Sequence, residues 1–302
     1  MVTLPATCSL VLGTAQLGFP YGIANAKGQP DQKTVTDIIQ KAWDNGIREF
    51  DTAQDYGASE KVLGIAFAKI GILEEAGVIS KINPELDHCN LLTMSKALDE
   101  SQKKLGVPCL SGLMLHKEDM LCQWSNGLGD ILRGFVAAGK VKKIGVSVYS
   151  PEKALEALRM EGTDMIQIPS NILDRRFERA KVFQVAAEKK KQVYIRSVFL
   201  QGLILMDSKD LPAHMSFAGP VLDKIKSLSR DMSLTRHELA LGYLKERFPE
   251  AKLIIGVETP EQVIENVMSW KRKTAVDLIP LVSKYFDQVD EKILNPSLWS
   301  IK

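Results

Sequence analysis

The sequence predicts an α/β fold, a (β/α)8 or TIM barrel in one domain with long loops at its carboxyl-terminal mouth. Three observations carry this. Short β-like runs alternate with amphipathic helical stretches from end to end, the runs number eight, and no Ser/Gly-rich linker or shift of composition divides the 302 residues. Alternation of strand and helix argues a parallel sheet with crossover helices. Eight such units in a chain somewhat longer than about 250 residues close most naturally as a barrel, with 1–302 read as that single domain.

The elements follow in order. Residues 10–12 form the first β-like run. Asp31 or Gln32 opens the first long helix, whose apolar stripe is Val35, Ile38, Ile39 and Ala42, and Gly46 follows its end. The second run, 47–50, leads through Asp51 to a loop carrying Tyr56, and Ser59-Glu60 starts the next helix. After a third run at 77–80, a helix over 91–105 sets Leu92, Ser95, Leu98, Gln102 and Leu105 on one stripe. The remaining runs are 110–115, 143–146, 165–168, 193–198 and 252–255. Ser150-Pro151 and Thr259-Pro260 each set a capping side chain before a proline at the first helical position. The longest irregular stretch, 201–219, contains Gly202, Pro212 and Gly219 and reads as a loop, a candidate lid.

Composition narrows the function classes. Thirty-nine Lys+Arg against thirty-seven Asp+Glu give a net charge of +2, spread along the chain, so neither nucleic acid nor an anionic membrane is an expected partner. With 45% apolar and 25% charged residues the usage is that of a soluble globular protein, and no window approaches the roughly 18 apolar residues of a membrane span. The uncharged start is interrupted by Pro5, Gly13, Gln16, Gly18 and Pro20, so it reads as retained structure, not a secretory leader. Cys8, Cys89, Cys109 and Cys122 form no Cys-x-x-Cys pair and read as reduced thiols of a cytoplasmic protein.

A parallel barrel places its chemistry at the carboxyl ends of the strands. The polar residues there are Asp51, Lys81, His116, Ser147 and Gln167, with Tyr56 on the loop after Asp51. A cation within about 4 Å of a phenol favours the phenolate by a few kcal/mol at an effective dielectric near 20. Lys81 is expected to supply that cation, Asp51 to keep Lys81 charged, and His116 to position a carbonyl oxygen. Such a set donates a proton to a carbonyl that receives hydride from elsewhere, and because no side chain donates hydride a nicotinamide is implied. Singly, Asp51 reads as a helix cap, Lys81 and Tyr56 as surface residues and His116 as a barrel-end histidine; it is their coincidence that points to chemistry. Two rivals stand beside this reading: a Schiff-base aldolase using Lys81, and a non-catalytic nicotinamide-binding redox sensor.

The residues also carry a resemblance. Gly46-Ile-Arg-Glu-Phe-Asp51-Thr-Ala-Gln-Asp-Tyr56-Gly-Ala-Ser-Glu60, then Ser80-Lys81, then Leu113-Met-Leu-His116 resemble the Asp/Tyr/Lys/His signature of the aldo-keto reductase superfamily. The likeness continues through Gly139-Lys140-Val141 and Ile144-Gly-Val-Ser147 to Ile254-Ile-Gly256 and Glu265-Asn266. It implies a barrel without a Rossmann domain that binds NAD(P)H across its mouth and reduces a small aldehyde or ketone, sugar-derived ones included. By this resemblance Tyr56 is the general acid, Lys81 and Asp51 tune it, and His116 orients the substrate. It further implies that Ser147 and Gln167 hold the nicotinamide carboxamide, with Asn171 compensating for Val148 where the family commonly has Asn. Arg196 would stack on the nicotinamide, and Gly13, Gly256, Thr259, Gln262, Glu265 and Asn266 would line the rest of the cofactor. The family's habit implies NADP. The basic residues that many members set around the 2′-phosphate are absent from 256–266, and Glu258 stands there, so NAD is the alternative.

Several patterns read as structure. Gly134-Phe-Val-Ala-Ala-Gly139-Lys140 imitates a P-loop but follows a helix and precedes a strand, so it is a helix end and turn. Asp51, Asp55 and Glu60 are not a metal cluster, and no metal is expected. His88, His214 and His237 read as surface histidines. Phe19, Tyr21 and Trp124 could line a substrate wall or belong to the core.

Overall fold

A computed structural model describes residues 9–25, 27–273 and 277–299. Eight parallel strands close into one barrel in chain order. They are β1 Leu10–Gly13, β2 Glu49–Asp51, β3 Gly77–Ile82, β4 Gly112–Leu115, β5 Ile144–Ser147, β6 Met165–Pro169, β7 Gln192–Arg196 and β8 Lys252–Gly256. The predicted runs all become strands, shifted by a residue or two, except that 110–111 lie outside β4 and Leu110 keeps only an isolated bridge to Val141.

Alternation of side chains along each strand sorts the residues into two cores. Val11, Ile79, Met114, Met165, Tyr194 and Ile254 form a small cluster that fills the inside of the barrel. Their neighbours, such as Leu10, Leu12, Val78, Leu113, Ile166 and Ile195, join the larger cluster between strands and helices. Two residues beyond the inner plug, the same parity brings Gly13, Lys81, Ser147, Gln167, Arg196 and Gly256 to the inner face at the carboxyl ends. The register pairs Gly13 with both Asp51 and Gly256, and Ser147 with Gln167, so these residues form one layer above the plug. At the opposite end Glu49 is bonded by Tyr194 and Lys252, closing the floor.

The helix signals hold. Asp31 caps Gln32–Asp44, Ser150 caps Pro151–Arg159 and Thr259 caps Pro260–Lys271, each side chain accepting from a backbone N–H three residues on. Residues 91–105 form the predicted helix Leu91–Leu105, with Asn90 as its cap, but its buried face is Met94, Leu98, Ser101 and Leu105, and Leu92 of the expected stripe is exposed. The P-loop imitation is the end of Leu128–Ala137 and a turn at Gly139, whose φ is +70°.

Other expectations need correction. Residues 201–219 are not an irregular loop: they wind into short 3-10 turns at Leu203–Leu205, Ser208–Asp210 and Ala213–Ala218 and bury Leu203, Ile204, Met215 and Ala218. Arg236 ties them down by donating to the carbonyls of Leu205 and Met206 and to Asp207 Oδ1. Of the two places open to Trp124 it takes the core, packed on Gly129 from the turn Glu118–Asn126. His88 is buried as well, its Nε2 lying 3.0 Å from the carbonyl oxygen of Asn83, so only His214 of the three histidines is a surface residue. Cys89, Cys109 and Cys122 are free thiols. Cys8 and Pro5 lie outside the described residues.

Candidate active site

The loop bearing Tyr56 is fixed by the ends of its neighbours. Thr52 N–H donates to the carbonyl of Ile79 and Gln54 N–H to that of Lys81, which prolongs the β2–β3 pairing past Asp51. The Thr14 hydroxyl donates to the carbonyl of Asp51, and the Ser59 hydroxyl sits 2.7 Å from that of Thr14 and 2.9 Å from that of Thr52. All three residues are buried, so one hydroxyl cluster pins the β1, β2 and Ser59–Ile70 termini together. Gly18 lets the chain pass: a Cβ there would fall 1.8 Å from the carbonyl oxygen of Tyr56. Among Gly13, Gly18 and Gly22, it is Gly18 whose missing side chain sets the position of the phenol.

Four side chains meet above this frame. Lys81 Nζ, fully buried, donates to Asp51 Oδ2 at 2.7 Å and to the carbonyl of Thr52 at 3.0 Å, and lies 3.4 Å from Tyr56 Oη. Asp51 Oδ1 accepts from Gln167 Nε2 at 2.7 Å, across the barrel. The Tyr56 and His116 rings meet edge to face, 5.5 Å between centroids. Asp51, Tyr56, Lys81 and His116 are therefore brought together as the sequence led us to expect.

Their electrostatics depart from that expectation in one respect. Burial, followed by the Asp51 carboxylate, holds the Tyr56 phenol above its ordinary value, and the cation that pulls it back down is Arg196. Lys81 does not win in the resting site because its charge is already matched by Asp51, while the phenol has lost its water. Burial likewise pushes Lys81 down and Asp51 draws it back up. His116 is pushed down to about 3, first by burial and then by Lys81, Arg196 and Lys117, so it is a neutral imidazole.

That last shift has a stability consequence. An unfolded histidine titrates near pH 6.5, so the part of stability that rests on a neutral His116 is complete above that pH. It is lost as pH falls from 6.5 toward about 3, by ~1.4 kcal/mol for each unit of the interval. Urea unfolding of the wild type and of His116→Gln across this range should show the wild type losing stability more steeply. Parallel pH profiles would remove the burial argument.

Beside the four lies a cavity of about 420 Å³. Of the residues the resemblance implies for a cofactor, Gly13, Ser147, Gln167, Arg196, Gly256, Gln262, Glu265 and Asn266 line it. Asn171 and Thr259 do not. The Asn171 amide is spent inside the chain, donating to the carbonyl of Ser197 and accepting from the N–H groups of Leu173 and Asp174, so it cannot replace the family's Asn. Thr259 is spent as a helix cap. The space a Cβ at Gly256 would take is filled by the end of the Gln16 side chain. Among the described residues, four buried polar side-chain atoms lack a hydrogen-bond partner; three of them, His116 Nδ1, Arg196 Nε and Asn266 Oδ1, belong to residues that line this cavity.

The structure adds residues the sequence reading missed or misplaced. Tyr149 carries the Arg196 guanidinium over its ring, 4.1 Å from the centroid. Two positions past Ser147, its place at a strand end was a usable signal. Gln16 covers Gly256, with nothing local to announce it. His237, read as a surface residue, lines the cavity and sets Nδ1 3.1 Å from Glu265 Oε1. Tyr21 lines the wall, while Phe19 packs edge-on against both Tyr21 and Tyr56. Among the described residues no group of three or more His, Cys, Asp or Glu could hold a metal, and no helix is long and apolar enough to cross a membrane.

Comparison with known proteins gives a consistent result. The model of the Aldo/keto reductase family matches residues 9–292. Aldo-keto reductase YhdN of Bacillus subtilis is 26% identical over 185 residues, a match to 59% of this chain that spans about half, 55%, of that protein. D-threo-aldose 1-dehydrogenase of a Pseudomonas species is 26% identical over 307 residues, covering 87% of this chain and 92% of that one. Among solved structures, the glycerol dehydrogenase AKR11B4 of Gluconobacter oxydans superposes with a TM-score of 0.76 at 20% identity, over 96% of this chain and 94% of that one, a likeness of fold.

Proposed function

This chain belongs to the aldo/keto reductase family of NAD(P)-dependent oxidoreductases, and from that premise we propose that it reduces the carbonyl of a small aldehyde or ketone to the alcohol, with Tyr56 as proton donor. The observation that carries the reading is the unbroken contact chain from Gln167 through Asp51 and Lys81 to Tyr56, with His116 facing the phenol.

The cavity fits a nicotinamide dinucleotide. The orphaned polar atoms on Arg196 and Asn266, both residues of its lining, are features that a ligand would complete. Ser147 and Gln167 would hold the carboxamide; with Nε2 fixed on Asp51, Gln167 keeps Oε1 as an acceptor. The Arg196 plane would lie against the ring. When bound, the dinucleotide supplies the hydride.

The chain's own residues handle the proton. Burial keeps the Tyr56 hydroxyl protonated until a substrate needs it. As the proton leaves Oη for the carbonyl oxygen, the Lys81 ammonium 3.4 Å away and the Arg196 guanidinium stabilise the phenolate left behind. The neutral imidazole of His116 donates a hydrogen bond to the same carbonyl oxygen and carries no charge into the site. Asp51, held by both Lys81 and Gln167, prevents Lys81 from turning elsewhere. Access argues against the aldolase reading, because Lys81 is fully buried, does not line the cavity and has its Nζ held at 2.7 Å by Asp51, out of reach of a substrate carbonyl.

Incubation with 4-deuterated reduced dinucleotides and a panel of aldehydes and ketones, aldose-derived carbonyls included, tests the proposal. Deuterium should appear on the carbinol carbon of at least one product. A borohydride-trapped adduct on Lys81, with no label transferred, would replace the reductase by the aldolase.

A further inference from the structure

The far end of the cavity, away from Tyr56, is built from the strand end Gly256 and the helix Pro260–Lys271. A helix N-terminus ordinarily offers free N–H groups to a phosphate. Here two of the N–H groups at this end are already taken. Glu258 N–H donates to Gln262 Oε1 at 2.6 Å and Gln262 N–H donates to Thr259 Oγ1. What this end sets beside the helix start is two acids, Glu258 and Glu265, with Asn266, 2% exposed and carrying an unpartnered Oδ1, between them and the barrel.

The charges nearby do not reverse this. His237 faces Glu265, but burial pushes its imidazole down, so it meets the carboxylate as a neutral donor. Lys27, exposed on the loop before the helix Gln32–Asp44, is the cation that acts on Glu258 and, with Lys41, on Glu261. Arg196 is the arginine of the lining, and it belongs to the catalytic end, stacked on Tyr149.

Resting on the reductase reading above, we infer that this acceptor set, with Glu258 as its principal member, selects the dinucleotide that lacks a 2′-phosphate: NADH in place of NADPH. A ribose 2′-hydroxyl has a proton to donate to Glu258 or Glu265, so hydroxyl and wall are complementary. A 2′-phosphate has oxygens only, carries close to two negative charges, and finds two carboxylates where it needs cations. The NADP expectation drawn from the family's habit gives way to the chemistry of this wall.

Equilibrium titration of the purified chain with NADH and with NADPH, followed by quenching of its tryptophan fluorescence, tests this without any turnover. NADH should bind at least about tenfold more tightly, and added salt should narrow the gap by screening the repulsion. Glu258→Gln should tighten NADPH several-fold, Glu258→Lys should tighten it further, and Lys27→Ala, which removes the cation acting on Glu258, should weaken NADPH relative to NADH. Wild-type protein that binds NADPH as tightly as NADH, or a ratio that Glu258→Gln and Glu258→Lys both leave unmoved, overturns the inference. Tight NADPH binding with hydride transfer intact would end this inference alone. Failure of both dinucleotides to bind would end the reductase proposal with it.

Discussion

Tyr56→Phe is expected to lower kcat by about 10² to 10⁴, the usual contribution of a positioned general acid, while the dinucleotide Kd stays within about twofold. The substitution removes one oxygen that touches Lys81 Nζ at 3.4 Å and leaves the ring against His116 and Phe19. The loop should survive it, because that loop is held by backbone bonds and by the hydroxyls of Thr14, Thr52 and Ser59, not by the phenol. Loss of turnover with intact binding is therefore the signature of proton donation. If kcat is unchanged, the proton comes from elsewhere. If Kd rises in step with the loss of kcat, Tyr56 is a binding residue.

Lys81→Met is expected to act on stability and catalysis together. It strips a buried carboxylate of its ion-pair partner, leaving Asp51 with Gln167 alone, and breaking a buried pair from one side costs about 3–5 kcal/mol. Removing both charges, as Asp51→Asn with Lys81→Met, should restore much of that stability because no uncompensated charge remains. Activity should not return. The phenolate formed when Tyr56 gives up its proton would have lost its nearest cation, so kcat should stay down by on the order of 10²-fold or more in both variants. Urea unfolding of the single and double variants, with kcat measured alongside, separates the two effects. A double variant that regained turnover would show the pair to be a folding device only.

Much of this was legible in the chain because the signals are local. A capping side chain and the N–H it accepts from are three residues apart, which is why Asp31, Ser150 and Thr259 could be placed directly. Strand parity is equally short-ranged: a polar residue directly after an apolar run, as at Lys81 and Ser147, or set within one, as at Gln167, falls on the mouth of a parallel barrel. Strand count and order, and with them the barrel and the meeting of Asp51, Tyr56, Lys81 and His116, followed from such signals.

The tertiary structure decided what depends on barrel closure and on how bonds are shared. Gln167 reaches Asp51 across 116 positions of sequence, Tyr149 slides under Arg196, and Glu265 meets His237, because register sets which strand and helix ends face each other. Burial reversed two local readings, turning His88 inward and holding the Tyr56 phenol up against its lysine. Sequence marked Thr259-Pro260 as a helix start, but only the folded chain showed that the N–H groups of Glu258 and Gln262 are already bonded, since a donor's availability is a property of its surroundings. The chain's local order thus determined the barrel and the polar layer at its mouth, and packing determined the electrostatics of that layer and which of its far wall's groups are already bonded.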